Sequence, residues 1–319
     1  MNRYPVFIRW MVWAALVDWL VGRALTRSAI FMPKSPPVIL VYQGLGGLGQ
    51  LAATASGLLV LGALGWLAWV HLRTGRGLIL PFALASLVFL SLAFLFIPPA
   101  GALAVAYHLN LVLAVGLLGM QVLLAPVETE KKVAAAVVAL ALATSALHPL
   151  VPAVYAALGL SGPPGYSSTI FNLGELLVVL AAFALWWAYG RPASRRAWLL
   201  SAVPALAFTA LHLANPAIAG VISIWSVGLS LYLPWPVYTL GLWLAALAVF
   251  SSLERREPAG WAILLLAAGG YTPQLSSHAF LGIAALALLL PLPGEPFQRT
   301  QLLPKRGVWS SEDQEIHLE

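Results

Sequence analysis

The sequence predicts an all-α, polytopic transmembrane helical bundle of about ten spans, with an internal helix-hairpin repeat. Three observations carry that reading. Of the 319 residues, 61% are hydrophobic and 9% charged, against about 25% charged and about 45–50% apolar in soluble domains. So little charge cannot cover a water-facing surface, which excludes a soluble enzyme. The apolar residues also gather into stretches that approach the roughly 20 residues a helix needs to cross the hydrocarbon core. Finally, the basic residues divide between alternating loops so unequally that they fix an orientation.

Ten segments qualify as spans: 6–24, 45–71, 78–97, 101–125, 133–160, 168–189, 196–221, 224–251, 259–271 and 274–292. The first contains Asp18 and three tryptophans, Trp10, Trp13 and Trp19, and lacks a small-residue cleavage site. It is expected to stay as an anchor, with Asp18 in an interfacial ion pair with Arg23. The second is entered through Gly44-Leu45-Gly46-Gly47-Leu48-Gly49. No strand precedes these glycines, so a nucleotide loop is excluded; close packing against another helix is expected instead.

The fifth to eighth spans carry the repeat. At an offset of 64, the stretch Ala141–Ala153 matches Ala205–Ala217 at eight of thirteen positions, including His148 with His212 and Pro152 with Pro216. Matching His and Pro in register points to a duplicated helix hairpin, about 133–189 and 196–251. Each Pro leaves a carbonyl one turn back without its donor and bends its helix near one end. In the eighth span Trp235 stands between Pro234 and Pro236, which must break the helix. The ninth is short and ends in Gly269-Gly270-Tyr271-Thr272-Pro273. The polar remainder, 293–319, reads as a cytoplasmic tail following a transmembrane domain of residues 1–292.

Fourteen basic residues lie on one side: Arg3, Arg9, Arg73, Arg76, Lys131, Lys132, Arg191, Arg195, Arg196, Arg255, Arg256, Arg299, Lys305 and Arg306. Only Arg23, Arg27 and Lys34 lie on the other. The positive-inside rule then places both termini in the cytoplasm of a multi-pass cell-membrane protein, in keeping with an even count of spans. The net charge of +6 is therefore an orientation signal, and no nucleic-acid partner is expected. The tryptophans near span ends, Trp66, Trp69, Trp186 and Trp187 among them, form an interfacial belt.

Chemistry must come from the few polar groups within the spans. Cysteine is absent, which excludes disulfides, iron–sulfur clusters, thiolate zinc sites and covalently attached haem. Of six histidines, His317 lies in the tail and His71 ends the second span beside Arg73, where both are expected to be solvated. The other four, His108, His148, His212 and His278, lie inside spans. At a rise of about 1.5 Å per residue, all four fall in one layer in the outer half of the membrane. Independent structural histidines would have no reason to share a level.

Four chemistries could use that layer. Two bis-imidazole b-type haems would take two histidines each, with small residues such as Ala104, Ala143, Ala146 and Ala210 making room. A zinc or copper site is a second, although intramembrane carboxylates are nearly absent. A proton or substrate relay through His, Glu175 and Asn172 is a third, and hydrogen-bonded histidines that only hold helices together are the fourth. Glu175, a helical turn from Asn172, is a candidate proton acceptor in quinol oxidation or a hydrogen-bond partner for a ligand histidine. Equally, burial could simply keep it protonated.

With its layered histidines in a helical frame, the chain resembles the polytopic di-haem cytochrome b subunits of prokaryotic respiratory complexes. The likeness is greatest to the roughly ten-span subunits that accompany archaeal extracellular b-type cytochromes. The resemblance implies axial iron ligation by His108, His148, His212 and His278, two b haems and a quinone. It also implies partner subunits, including an outer-face cytochrome or redox protein, beside membrane lipid. Electrons would pass from quinol or a partner to that outer-face protein, in a subunit of an oxidoreductase complex rather than a stand-alone enzyme. The expectation from a different class is a repeat-built transporter whose His/Glu relay lies near Glu175, Asn172 and the broken eighth and ninth helices.

Overall fold

The computed structural model describes residues 35–74, 77–94, 96–98, 100–162, 165–214, 235–266 and 277–289, together with Met11, Trp13 and Ala14. Among these residues every regular element is helical: α1 (Pro36–Thr74), α2 (Ile79–Ala93), α3 (Gly101–Leu124), α4 (Thr129–Ala157), α5 (Tyr166–Tyr189), α6 (Arg195–Ala214), α7 (Trp235–Glu254), α8 (Pro258–Leu265) and α9 (Ser277–Leu288). Each of the expected spans after the first has one of these helices. Of the 6–24 span only Met11, Trp13 and Ala14 are described, with the Ser56 hydroxyl donating to the Ala14 carbonyl at 2.9 Å; the rest of it, the tail with His317, Pro216 and the Gly269–Pro273 break lie outside the described residues.

Six helical stretches, in α1, α3, α4, α5, α6 and α7, are long and apolar enough to cross a membrane. Their surfaces agree with that reading. Phe82, Phe89 and Phe96 are 76%, 71% and 87% exposed, a row of aromatic rings that water would not tolerate but lipid accepts. Ten crossings are not reached by this measure, because α2, α8 and α9 are too short.

Antiparallel neighbours α3–α4, α4–α5 and α6–α7 pack as hairpins, α7 also packs on α5, and α9 lies across α1, α3 and α4. The shared core is rich in alanine, with Ala134, Ala135, Ala139, Ala181, Ala182, Ala245 and Ala248 all buried. Small side chains let helix backbones approach where lipid offers no hydrophobic drive for association. One close approach between α3 and α4 is at Gly119, where a Cβ would lie 2.9 Å from the Ala139 Cβ. The glycines at the start of α1 behave differently. A Cβ on Gly44, Gly46 or Gly47 would meet nothing within 4 Å, so the close packing expected of that run is found at Gly119 instead.

One end of the bundle is tied together by the basic loops. Ser194 caps α6 by accepting from the Ala197 N–H at 2.9 Å and donates to Glu254 at 2.7 Å. Arg255 donates to the carbonyls of Tyr189 and Pro192 and pairs with Glu257 at 3.1 Å. Arg73 lies 4.6 Å over the Trp69 ring, Arg191 4.2 Å over Trp186 and Lys131 5.9 Å over Tyr189. Rings of this kind offer cations a negative face at the membrane surface. Here α1, α5 and α7 end and α2, α4, α6 and α8 begin, so the alternation read from sequence becomes one polar face.

His71 departs from expectation. Because α1 runs on to Thr74, the imidazole is still one turn inside the helix, on the face of Leu64 and Leu67. It is 4% exposed, and its Nδ1 lies 3.0 Å from the Leu67 carbonyl oxygen. It is a buried, bonded histidine, not a solvated one.

Candidate functional site at the neutral end

The opposite end of the bundle holds His108, His148 and His212. His108 lies two turns into α3, on a buried stripe with Ala104, Leu111 and Val115. It is 4% exposed, meets the Tyr107 ring edge-on at 5.2 Å, and its Nδ1 is buried without a hydrogen-bond partner. Below it, Asn110 donates to Ser86 at 2.9 Å and fixes α3 against α2.

His148 is half-buried near the end of α4, which continues through Pro149 and Pro152 to Ala157. Pro152 cannot supply the N–H that would meet the His148 carbonyl. The Tyr166 hydroxyl from α5 donates to the neighbouring Leu147 carbonyl at 3.1 Å. The helix closes with Gly159 at φ 67°, the Gly159 N–H on Ala156 and the Leu160 N–H on Tyr155. This reverse turn satisfies the last carbonyls. On α5, the Asn172 side-chain oxygen is buried without a partner, Gly174 faces Thr144, and Glu175 follows on the same helix.

His212 belongs to a different neighbourhood. Helix α6 is covered along one narrow stripe, Ala197, Ser201, Ala205 and Phe208, and His212 continues it by one turn. Only 22% of its apolar window is buried, against 50% for α4 and α7. The imidazole is stacked between Phe208, at 6.2 Å, and Trp235 of α7, at 5.3 Å, and its Nδ1 has no partner. Phe208 also joins Tyr238 and Leu242 in a small apolar cluster separate from the main core. Trp235 opens α7, so Pro236 falls in the first turn, where its missing N–H leaves no helical bond unmade.

His278 is the second residue of α9, the helix that packs on both α3 and α4. The structure thus puts His108, His148 and His278 on three mutually packed helices. It puts His212 on a helix whose principal neighbour is α7, which carries no histidine. Among the described residues, no group of three or more His, Asp or Glu side chains is placed to hold a metal ion. Sequence reading missed the Tyr166 anchor and the stacking of His212, although Phe208 and His212 are four apart and so share a helix face.

No family model, characterised protein or solved structure matches the chain.

Proposed function

We propose that the chain is an integral membrane electron-transfer subunit of the b-type cytochrome class, with its cofactor site among α3, α4 and α9. The observation that carries this reading is the His108 imidazole, buried within the bundle with a ring nitrogen unpartnered. A neutral imidazole of that kind is costly to bury unless something takes its lone pair or proton. The donor chemistry fits one bis-imidazole site: His108 supplies one ligand, and His148 or His278 the other. It does not extend to the second site expected from sequence, since His212 has no histidine on its main packing neighbour.

Haem held there would supply one-electron transfer. The chain's own residues do the rest. Tyr107 and Leu111 exclude water around His108, and Tyr166 holds α5 against α4 beside His148. Glu175, one turn past the unpartnered Asn172 oxygen, is the group on this end that could take a proton from quinol. We place the basic end in the cytoplasm of the cell, with ten crossings and both termini on that side, so that electrons leave toward an outer-face redox partner. The hairpins α4–α5 and α6–α7 are read as repeat copies. Adding the offset of 64 to Tyr189, the end of α5, reaches Leu253, one residue short of the end of α7.

A visible spectrum of the purified full-length protein tests the reading. One Soret band with sharp α-bands, at about one haem per chain, is expected, and His108→Leu should lower haem content about tenfold or more. His212→Leu should leave it unchanged. A colourless protein overturns the proposal and favours the transporter, for which the buried, unpartnered Asn172 oxygen is the supporting observation.

A further inference from the structure

We propose that the groove between the last turns of α1 and the first turns of α2 binds one anionic phospholipid, with an acyl chain in the groove and its phosphate on the Arg73 guanidinium. The groove has a volume of about 590 Å³ and is lined by apolar groups, including Gly65, Ala68, Trp69, Leu72, Ile79 and Phe82. That volume lies within the range of ligand sites. Its walls are open to the bilayer, Trp69 being 51% and Ile79 67% exposed. From Gly65 to Leu72 it runs two helical turns, about 10 Å, down from the loop toward the bilayer interior.

The shape alone would suit any lipid tail; the charge selects the headgroup. Arg73 lies 4.6 Å over the ring of Trp69, a wall of the groove. The stack therefore holds an exposed cation at the groove mouth, at the depth where tryptophan marks the headgroup layer. Among the described residues no carboxylate pairs with that guanidinium. Its planar donors match a phosphate in a two-point contact that an uncharged quinone head cannot make. The opposite face of α1, with Leu64, Leu67 and His71, is buried, so the groove is the lipid-facing side of the hairpin. The inference needs only that the helices lie in a membrane and is independent of haem.

Native mass spectrometry of the delipidated full-length protein tests it, with phosphatidylglycerol and phosphatidylcholine of the same acyl chains added separately. Phosphatidylglycerol should be retained about fivefold better, the selectivity expected of one interfacial arginine. Arg73→Gln should equalise the two lipids while both still bind. Gly65→Phe, where a Cβ meets nothing within 4 Å, should abolish binding of both. Ala85→Trp, on the facing wall formed by α2, should do likewise and guards against a folding defect in the first variant. Equal retention of the two lipids by the unaltered protein would overturn the proposal. So would preference persisting in Arg73→Gln, binding persisting in both groove-filling variants, or displacement of phosphatidylglycerol by an equimolar long-chain quinone.

Discussion

Two helices of this protein end in the same hydrogen-bonded reverse turn, at opposite ends of the bundle, and they differ at its key residue. At the neutral end, α4 closes with Gly159 at φ 67° and the Leu160 N–H bonded to Tyr155. At the basic end, α7 closes with Arg256 at φ 59°, its N–H bonded to Leu253 and the Glu257 N–H to Ser252. Glycine enters the left-handed region without strain, whereas a side chain there costs about 1–2 kcal/mol. The basic end therefore keeps a cation where glycine would be more stable. It offsets the strain with neighbouring bonds from Arg255 to the ends of α5 and to Glu257. The neutral end makes the opposite compromise, with an unstrained turn and imidazole nitrogens left unpartnered inside the bundle. One end is built for cohesion, and the other leaves buried polar atoms without partners.

The comparison breaks outright if the ends are not on opposite sides of a membrane. Reporter fusions at Lys131 and at Ser161 should read cytoplasmic and external respectively, an all-or-none result. If both report one side, the basic and neutral faces are not two ends of membrane-crossing helices.

The next largest effect concerns cohesion. Arg255→Gln removes the bonds to the Tyr189 and Pro192 carbonyls and the pairing with Glu257. Since the side chain is partly exposed, a loss of about 1–2 kcal/mol is expected, measured by denaturation of the protein in detergent. On the proposed cytochrome reading, the spectrum of bound haem should be unaffected, because this change is confined to the opposite end. A spectral change would show that the two ends are coupled.

The smallest effects are the sharpest. Arg256→Gly should stabilise the fold by about 1 kcal/mol and Gly159→Ala destabilise it by a similar amount. Equal signs from the two substitutions would mean that the turns are not equivalent and that the strain argument fails at one of them.

Much of this architecture was legible in the chain. Helix α3 begins at the first residue of its expected span, α5 ends at the last of its span, and α4–α5 and α6–α7 are both packed pairs. The gathering of Lys131, Arg191, Arg195 and Arg255 on one face follows from loop composition alone. The errors share a cause. His71 was expected in solvent and is buried, and the close helix contact expected of the Gly44–Gly49 run is made at Gly119, while Gly44, Gly46 and Gly47 stand open.

Length, hydropathy and loop charge are local properties, so the sequence by itself determined that these segments are apolar helices and that the basic loops join them. Rotation of a helix about its axis is not a local property here. Lipid tails are as apolar as leucine, so the lipid-facing and core-facing sides of α1 or α6 carry similar side chains and no periodic signal distinguishes them. Only packing decided that His108 is buried with its Nδ1 unpartnered while His212 is stacked against Phe208 and Trp235. Those choices rest on contacts between residues distant in the chain.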